Sequence, residues 1–406
     1  MKKLILVLLV ASTIQISTQQ NQQLSSRPCN INRDLSLEYG RASYQIFVET
    51  FRSVIIRGNF HFVYAPNSIW IMVAAIAEGT DFLTQQKLFK HLNLPYDPCI
   101  RQAYYQLATT RAFSSNDVYV DNLRLWLFDY GVTLSRSWYD VAVKNSLLEI
   151  SRAPIRSNPV AAANKIRRIM SSPLPRINLR GNSALLETLD YDGLWTTAFE
   201  NALIERAPFY NLKGKQIGAV DMMWMQRRIR IGYNEELKTK ILELPVGSNG
   251  RYRILIGMPI ENANLDTIRT TVTADIVAKC IESLTLSLIP IFVAIPLLEI
   301  DSLNDMKAVL GDAGYNELFT DPDVSRYISN PPALPSSYLQ RASVVLNTTG
   351  LKYTPSEPEP AEGAYTGLDP IVGRKFIADR PFAFSLHDAK TWSCLWCGAY
   401  SRPTYT

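Results

Sequence analysis

Apolar residues at Leu35, Tyr39, Ala42, Ile46, Phe47 and Phe51 recur at helical spacing and predict a helix with one buried face from Leu35 to Phe51. After Pro66-Asn67-Ser68, the run Ile69 to Ala77 is apolar at nearly every position. It predicts a buried helix capped by polar side chains and ended by Gly79. Thr80 to Leu92 is amphipathic and is closed by Pro95, and Ala161 to Met170 again has helical spacing. Further on the period shortens. Arg227 to Ile231 alternates charged and apolar residues, as an exposed-face strand does, and Lys240 to Pro245 and Arg253 to Pro259 predict two more strands. Leu284 to Ile300 is rich in Leu and Ile, with Pro290 and Pro296 at edges or breaks, and Ser302 to Ala313 predicts a short helix. From Leu346 to Pro381 one apolar strand leads into a stretch of Pro, Glu, Gly and Ser and another leads out. Such a stretch cannot hold a core and belongs on the surface. There is no internal repeat. Helices cluster early and strands late, which predicts an α+β fold.

The chain has 406 residues, 47% of them hydrophobic, enough for one large domain or two to three smaller ones. The net charge of +5 is mild, and no RNP-like or zinc-finger signature accompanies it, so nucleic acid is not an expected partner. Lys2 and Lys3 followed by the apolar run Leu4 to Val10 predict a secretory signal over 1–18, with cleavage near Ser17 or Thr18. That run is far short of the ~20 residues that span a bilayer, so a secreted, extracellular protein with no membrane contact is expected. Residues 19–34 are rich in Gln, Ser and Asn and predict a flexible lead-in. Five cysteines (Cys29, Cys99, Cys280, Cys394, Cys397) leave at least one unpaired. Cys394-Leu395-Trp396-Cys397 has the spacing of a redox or metal motif but sits in a strand-like run, where residues three apart point to opposite faces; structural thiols are expected. The three histidines, His61, His91 and His387, lie in no nucleophile elbow or metal motif, and no carboxylates pair as acid and base. No enzyme activity, metal or cofactor is expected.

Several stretches, taken in order, carry a resemblance. Tyr64-Ala65-Pro66-Asn67-Ser68-Ile69 is similar to the "SPxSI" segment of the serpin family. Glu78-Gly79-Thr80 with Leu88-Phe89-Lys90-His91-Leu92-Asn93-Leu94-Pro95 is similar to its "AEGA…LLKxLGLP". Gly193-Leu194-Trp195-Thr196-Thr197-Ala198-Phe199 looks like "GxWxxxF", and Val220-Asp221-Met222-Met223 like "VxMM". Pro296-Leu297-Leu298-Glu299-Ile300 resembles the "PKFxI" strand, and Ala378-Asp379-Arg380-Pro381-Phe382 with Cys397-Gly398 and Pro403 resembles "ADRPFxF…FxGxxxxP". The resemblance implies a serpin-like single domain over 35–406, with three β-sheets, about eight or nine helices and an exposed reactive-centre loop over about 350–375. In inhibitory members a protease attacks this loop, which then inserts as a new strand into the largest sheet and distorts the protease.

Aligned on the family's "VNEEG" hinge, Leu346-Asn347-Thr348-Thr349-Gly350 keeps the glycine and replaces the paired acids by Thr348 and Thr349. In inhibitors the residues that follow are small. Here the inward set by alternation is Leu351, Tyr353, Pro355, Glu357 and Glu359. Two are bulky, where overpacking costs ~1–3 kcal/mol each. Two would bury carboxylates, and Pro355, Pro358 and Pro360 have no N–H for a ladder. The positions that the resemblance assigns to the shutter, where the sheet opens, carry Ala65, Ser68, Glu187 and Gln340, with Glu, Gln and Ala in place of Asn, His and Ser. Asn347-Thr348-Thr349 is a glycosylation sequon, and a glycan on Asn347 would hinder insertion further. The scissile bond falls near Ala364-Tyr365 or near Leu368, and suits a chymotrypsin- or elastase-like protease better than a trypsin-like one. The expectation is a monomeric, secreted serpin-family protein with a binding, carrier or extracellular-interaction role and no protease trapping, its partner an extracellular protease or other protein ligand. The alternative is a suicide-substrate inhibitor of serine endopeptidases acting through 350–375. Lys165, Arg167 and Arg168, and Arg227, Arg228 and Arg230, form two basic clusters that a glycosaminoglycan would read.

Overall fold

The computed structural model describes residues 29, 31–109, 117–171, 179, 181–199, 204–211, 213–260, 262–351 and 375–403. The expected signal segment 1–18, most of 19–34 and residues 352–374 of the loop, including Tyr353, Ala364, Tyr365 and Leu368, lie outside the described residues.

The chain enters through α1 (Ser36–Arg57), β1 (Phe62–Tyr64), α2 (Pro66–Ala77), α3 (Phe82–His91) and α4 (Pro98–Thr109). There follow β2 (Val118–Asp129), β3 (Thr133–Leu134), α5 (Arg136–Lys144), β4 (Glu149–Ala153), α6 (Pro159–Met170) and β5 (Ser183–Leu194). The middle is mostly strand: β6 (Ile204–Tyr210), β7 (Gln216–Arg227), β8 (Arg230–Asn234), β9 (Thr239–Val246) and β10 (Tyr252–Pro259). Then come α7 (Leu265–Thr271), α8 (Ala274–Glu282), β11 (Thr285–Leu286), β12 (Ile291–Pro296), β13 (Leu298–Asp305), α9 (Met306–Asp312) and α10 (Glu317–Thr320). The chain closes with β14 (Ser329–Asn330), β15 (Pro335–Leu346), β16 (Gly350–Leu351), β17 (Lys375–Ile377), β18 (Phe382–Asp388) and β19 (Cys394–Tyr400). Ten α-helices thus stand among the described residues, the last a single turn.

The three expected sheets are present, with a small fourth. One runs β1-β19-β18-β10-β9-β8-β11, a second β17-β12-β7-β6, and the third β13-β15-β5-β2-β4 with β16 set against β5; β14 and β3 form the fourth. Alternation along β1 assigns the two main cores. Phe62 and Tyr64 face the helices, where all of α2 is buried, while Val63 and the following Ala65 face the core shared by the three large sheets. A third, smaller core forms where Ala162, Ile166 and Met170 of α6 cover Leu125, Leu127 and Leu186 of the third sheet.

Several local expectations change. The buried helix begins at Pro66 with Ala65 at its N-cap, and no side chain caps it. Asn67 instead accepts from the Tyr39 hydroxyl, and Ser68 Oγ donates to Asn122 Oδ1 at 3.1 Å. Arg227 to Ile231 is not one strand: β7 ends at Arg227, β8 begins at Arg230, and Ile229 between them is buried. Ser302 to Asp305 extends β13, so the helix starts only at Met306. The described part of the lead-in is anchored, since Cys29 forms a disulfide with Cys99 at the start of α4 and Ile31 packs against the core.

Regular alternation would set Cys394 and Cys397 on opposite faces, but they lie on the same one. His387 pairs with Cys394 but Leu386 with Trp396, so Leu395 is an extra residue in β19. This bulge shifts the alternation by one, turning both thiols to the helix side and Trp396 to the other. In the same strand Gly398 passes Phe62 so closely that a Cβ would lie 2.3 Å from the Phe62 carbonyl oxygen and 2.7 Å from the Phe384 ring. Gly398→Ala is therefore expected to cost ~1–3 kcal/mol. The check is a urea melt, with a lower midpoint and an unchanged slope.

Candidate functional site

The site lies along the seam between β5 and β15. These strands pair in parallel from Pro335↔Ser183 to Ala342↔Leu189, and pairing stops there. Above that point the chain leaves β15 at Leu346, turns, and returns as β16 antiparallel to β5, with Gly350 opposite Leu194 and Leu351 opposite Gly193. The large sheet thus has five strands and the first two residues of a further one.

Asn347 makes the turn. Its Oδ1 accepts from Thr349 N (3.0 Å), Thr349 Oγ1 (2.8 Å) and Gly350 N (2.9 Å), while its own backbone N donates to Gly350 O at 2.9 Å. The segment after β5 holds the turn from outside. The Trp195 indole N–H donates to Asn347 O at 2.8 Å, Trp195 N to Thr349 O at 3.0 Å and Phe199 N to Thr348 O at 2.9 Å. Trp195 and Phe199, whose rings meet edge to face, are thus the residues that grip the hinge. Gly350 is needed for the close approach of β16 to β5, since a Cβ there would lie 2.2 Å from Gly193 O. Of the predicted hinge residues, Thr348, Thr349, Gly350 and Leu351 are therefore brought together at the top of the seam, with Thr348 buried and Thr349 exposed.

Lower down, the seam is closed by side chains. Glu187 of β5 stands opposite Gln340 of β15 on one side and Arg124 of β2 on the other. It is 1% exposed, accepts from the Tyr338 hydroxyl at 2.7 Å, and accepts from Gln340 Nε2. Gln340 also spans to the start of α2: its Oε1 accepts from Ala65 N at 2.8 Å and its Nε2 donates to Ala65 O at 3.1 Å. Burial pushes the Glu187 carboxyl above its ordinary value, while Gln340, Tyr338, the Arg124 charge and Ser68 pull it back in part. All four shutter residues named from sequence, Ala65, Ser68, Glu187 and Gln340, converge here. Sequence reasoning missed Tyr338 and Arg124. Tyr338 carries a legible signal, being two positions from Gln340 on the same face of β15.

The remaining candidates lie elsewhere. His61 sits beside Tyr400, His91 lies edge-on to Tyr315, and His387 is buried in β18 between Ser385 and the Trp392 carbonyl. Desolvation holds the His61 and His387 imidazoles down to about 4. In the first basic cluster Lys165 is turned inward to Ser151 Oγ and Arg152 O, both at 2.7 Å, and Arg167 and Arg168 bond back to Asn164.

Against known proteins, the description "Serpin (serine protease inhibitor)" matches residues 46–403. Iripin-3 of Ixodes ricinus is 23% identical over 357 residues, covering 82% of this chain and 87% of that protein. Macrophage plasminogen activator inhibitor 2 of Mus musculus is 28% identical over 224 residues, 54% of this chain and only about half (52%) of that protein. Among solved structures, Serpin48, described as a highly specific serpin of the insect Tenebrio molitor, superposes with a TM-score of 0.75 at 16% identity, covering 92% of this chain and 100% of that one. Uncleaved ovalbumin does so with a TM-score of 0.75 at 17% identity, over 90% and 100%. At such identity the superpositions speak for the fold alone. The family match and the ordered motifs, set on a five-stranded sheet with a sixth strand begun, mean that the chain belongs to the serpin family.

Proposed function

We propose that this protein is a secreted, monomeric serpin that binds a protein or small-molecule partner in the extracellular space and does not trap proteases by loop insertion. The observation that carries this reading is what insertion would require. Tyr353, Pro355, Glu357 and Glu359 would have to follow Leu351 between β5 and β15. Proline cannot join a central ladder, and a carboxylate enters such a sheet only by protonation or with a partner. The same step would pull Glu187 away from Tyr338 and Gln340. Secretion is supported by the Lys2-Lys3 and Leu4–Val10 leader and by the Cys29–Cys99 disulfide, which an oxidising compartment favours. The protein supplies no catalytic group in this reading.

The test is incubation with chymotrypsin-, elastase- and trypsin-like proteases, followed by SDS gels and melting curves before and after loop cleavage. Plain cleavage is expected, with no SDS-stable complex and a change in Tm of less than about 5 °C. A covalent complex at near-equimolar stoichiometry, with a large gain in Tm after cleavage, would overturn the proposal. It would favour the second reading, a suicide-substrate inhibitor, for which the placement of Gly350 and Leu351 at the head of the seam speaks.

A further inference from the structure

A pocket of about 260 Å³ opens where β7, β8 and β9 meet the end of β5. Its polar side carries four guanidinium groups and one carboxylate: Arg227, Arg228, Arg230, Arg253 and Glu243. Glu243 is 4% exposed and lies between Arg253 Nε at 3.1 Å and Arg230 Nε at 3.3 Å, on the neighbouring strands to either side. That carboxylate is therefore committed to two of the four cations. Arg228 spends its Nε on the Ser287 carbonyl at 2.9 Å and meets no acid among the described residues. The side chain of Arg227, exposed at the end of β7, has no hydrogen-bond or ion-pair partner among them. Two cations without an acidic partner thus stand at the mouth. The other side is apolar, made by Trp195, Met225 and the half-exposed Leu286. The volume lies just under the ~300–1,000 Å³ of sites for drug-sized ligands, which fits a compact one. An anionic head facing guanidinium forks with a flat body against an indole is the ligand chemistry that this lining matches.

Trp195 is also the residue that holds the hinge. Trp195, which lines the pocket, donates its indole N–H to Asn347 O and its backbone N–H to Thr349 O. We propose that this pocket binds a small amphipathic organic anion, and that the bound anion steadies the hinge turn through Trp195. A body packed on the indole leaves it less room to swing away from Asn347, so the ligand favours the state in which the grip is closed. This holds whether or not the loop inserts.

The test uses the full chain and three probes: naphthalenesulfonate, its neutral counterpart naphthalenemethanol, and inorganic sulfate. Calorimetric titration should show saturable one-site binding of naphthalenesulfonate, weakened about tenfold or more in the double variant Arg227→Ala/Arg228→Ala and, through the apolar half, in Leu286→Asp. All three positions are exposed, and melting curves verify that the variants fold. The neutral probe and sulfate should each bind about tenfold or more weakly. With naphthalenesulfonate bound, hydrogen exchange at the Trp195 and Phe199 amides should slow several-fold, and not in the double arginine variant. Unchanged binding in the arginine variant overturns the site. Sulfate binding as tightly as naphthalenesulfonate would mark a surface anion patch and overturn it too. Arginine-dependent binding with unchanged exchange would overturn the link to the hinge.

Discussion

Glu187→Ala is expected to lower the unfolding free energy by roughly 2–4 kcal/mol, more than any conservative change along the seam. The Tyr338 hydroxyl and the Gln340 amide both lose their acceptor in a place closed to water, and an unpaired buried donor costs ~1–3 kcal/mol. The loss is not larger because a buried carboxyl is itself disfavoured, as its raised titration shows. Glu187→Gln keeps the shape and one acceptor and separates the two effects by pH. The carboxyl titrates higher in the folded protein than its ordinary 4.5. A proton therefore binds the native state more tightly, and the contribution of Glu187 is fully present below pH 4.5 and lost as pH rises through the raised folded-state value. An amide in its place carries no such dependence, so the stability of wild type relative to Glu187→Gln should fall as pH rises over that window. Urea melts of the three proteins at acid and neutral pH decide it. A Glu187→Ala protein within about 0.5 kcal/mol of wild type would mean that the seam is not held by these bonds.

Acid is expected to act through His387 with the opposite sign. Its imidazole is 2% exposed, with the Trp392 carbonyl 3.0 Å from Nδ1 and the Ser385 hydroxyl 2.9 Å from Nε2, and desolvation holds it to about 4 against an ordinary 6.5. The unfolded chain takes up the proton first. Stability from His387 is thus present above pH 6.5 and lost as pH falls from there to about 4. At ~1.4 kcal/mol per unit this amounts to ~3 kcal/mol, on the assumption that the ring stays buried until the chain unfolds. His387→Gln should flatten the fall between these limits while His61→Gln, whose ring is only half-buried, should flatten it less. Tm measured against pH for the two variants and wild type checks this. An unchanged acid slope in His387→Gln would assign the loss to other groups.

Much of the architecture was legible because local pattern and fold agree. The apolar positions from Tyr39 to Phe51 lie on α1, with Leu35 at its N-cap, and Lys240 to Pro245 and Arg253 to Pro259 lie inside β9 and β10. What stayed hidden depends on partners far along the chain. The backbone N–H and carbonyl of Ala65, just ahead of α2, are both bound by Gln340, 275 positions away. Tyr338 and Arg124 join Glu187 only through strand register, which a single strand does not display. The bulge at Leu395 leaves the composition of β19 untouched and reverses which way Cys394 points. Trp195 and Phe199 were visible as a motif, but their grip on the hinge appears only once Asn347 turns the chain back over them.

The bulge in β19 also bears on how the native molecule is reached. It places Cys394 and Cys397 on one buried face, and Cys280 is buried as well, so the finished protein hides these three thiols and joins only Cys29 to Cys99. Before the core closes, all five sulfurs are open to one another. In the oxidising compartment proposed above, disulfide exchange would then run in competition with packing, and the outcome would depend on which is faster. A substitution that merely delays docking of β19 would deplete native protein through misbridged chains, even where the native state, once formed, is as stable as before.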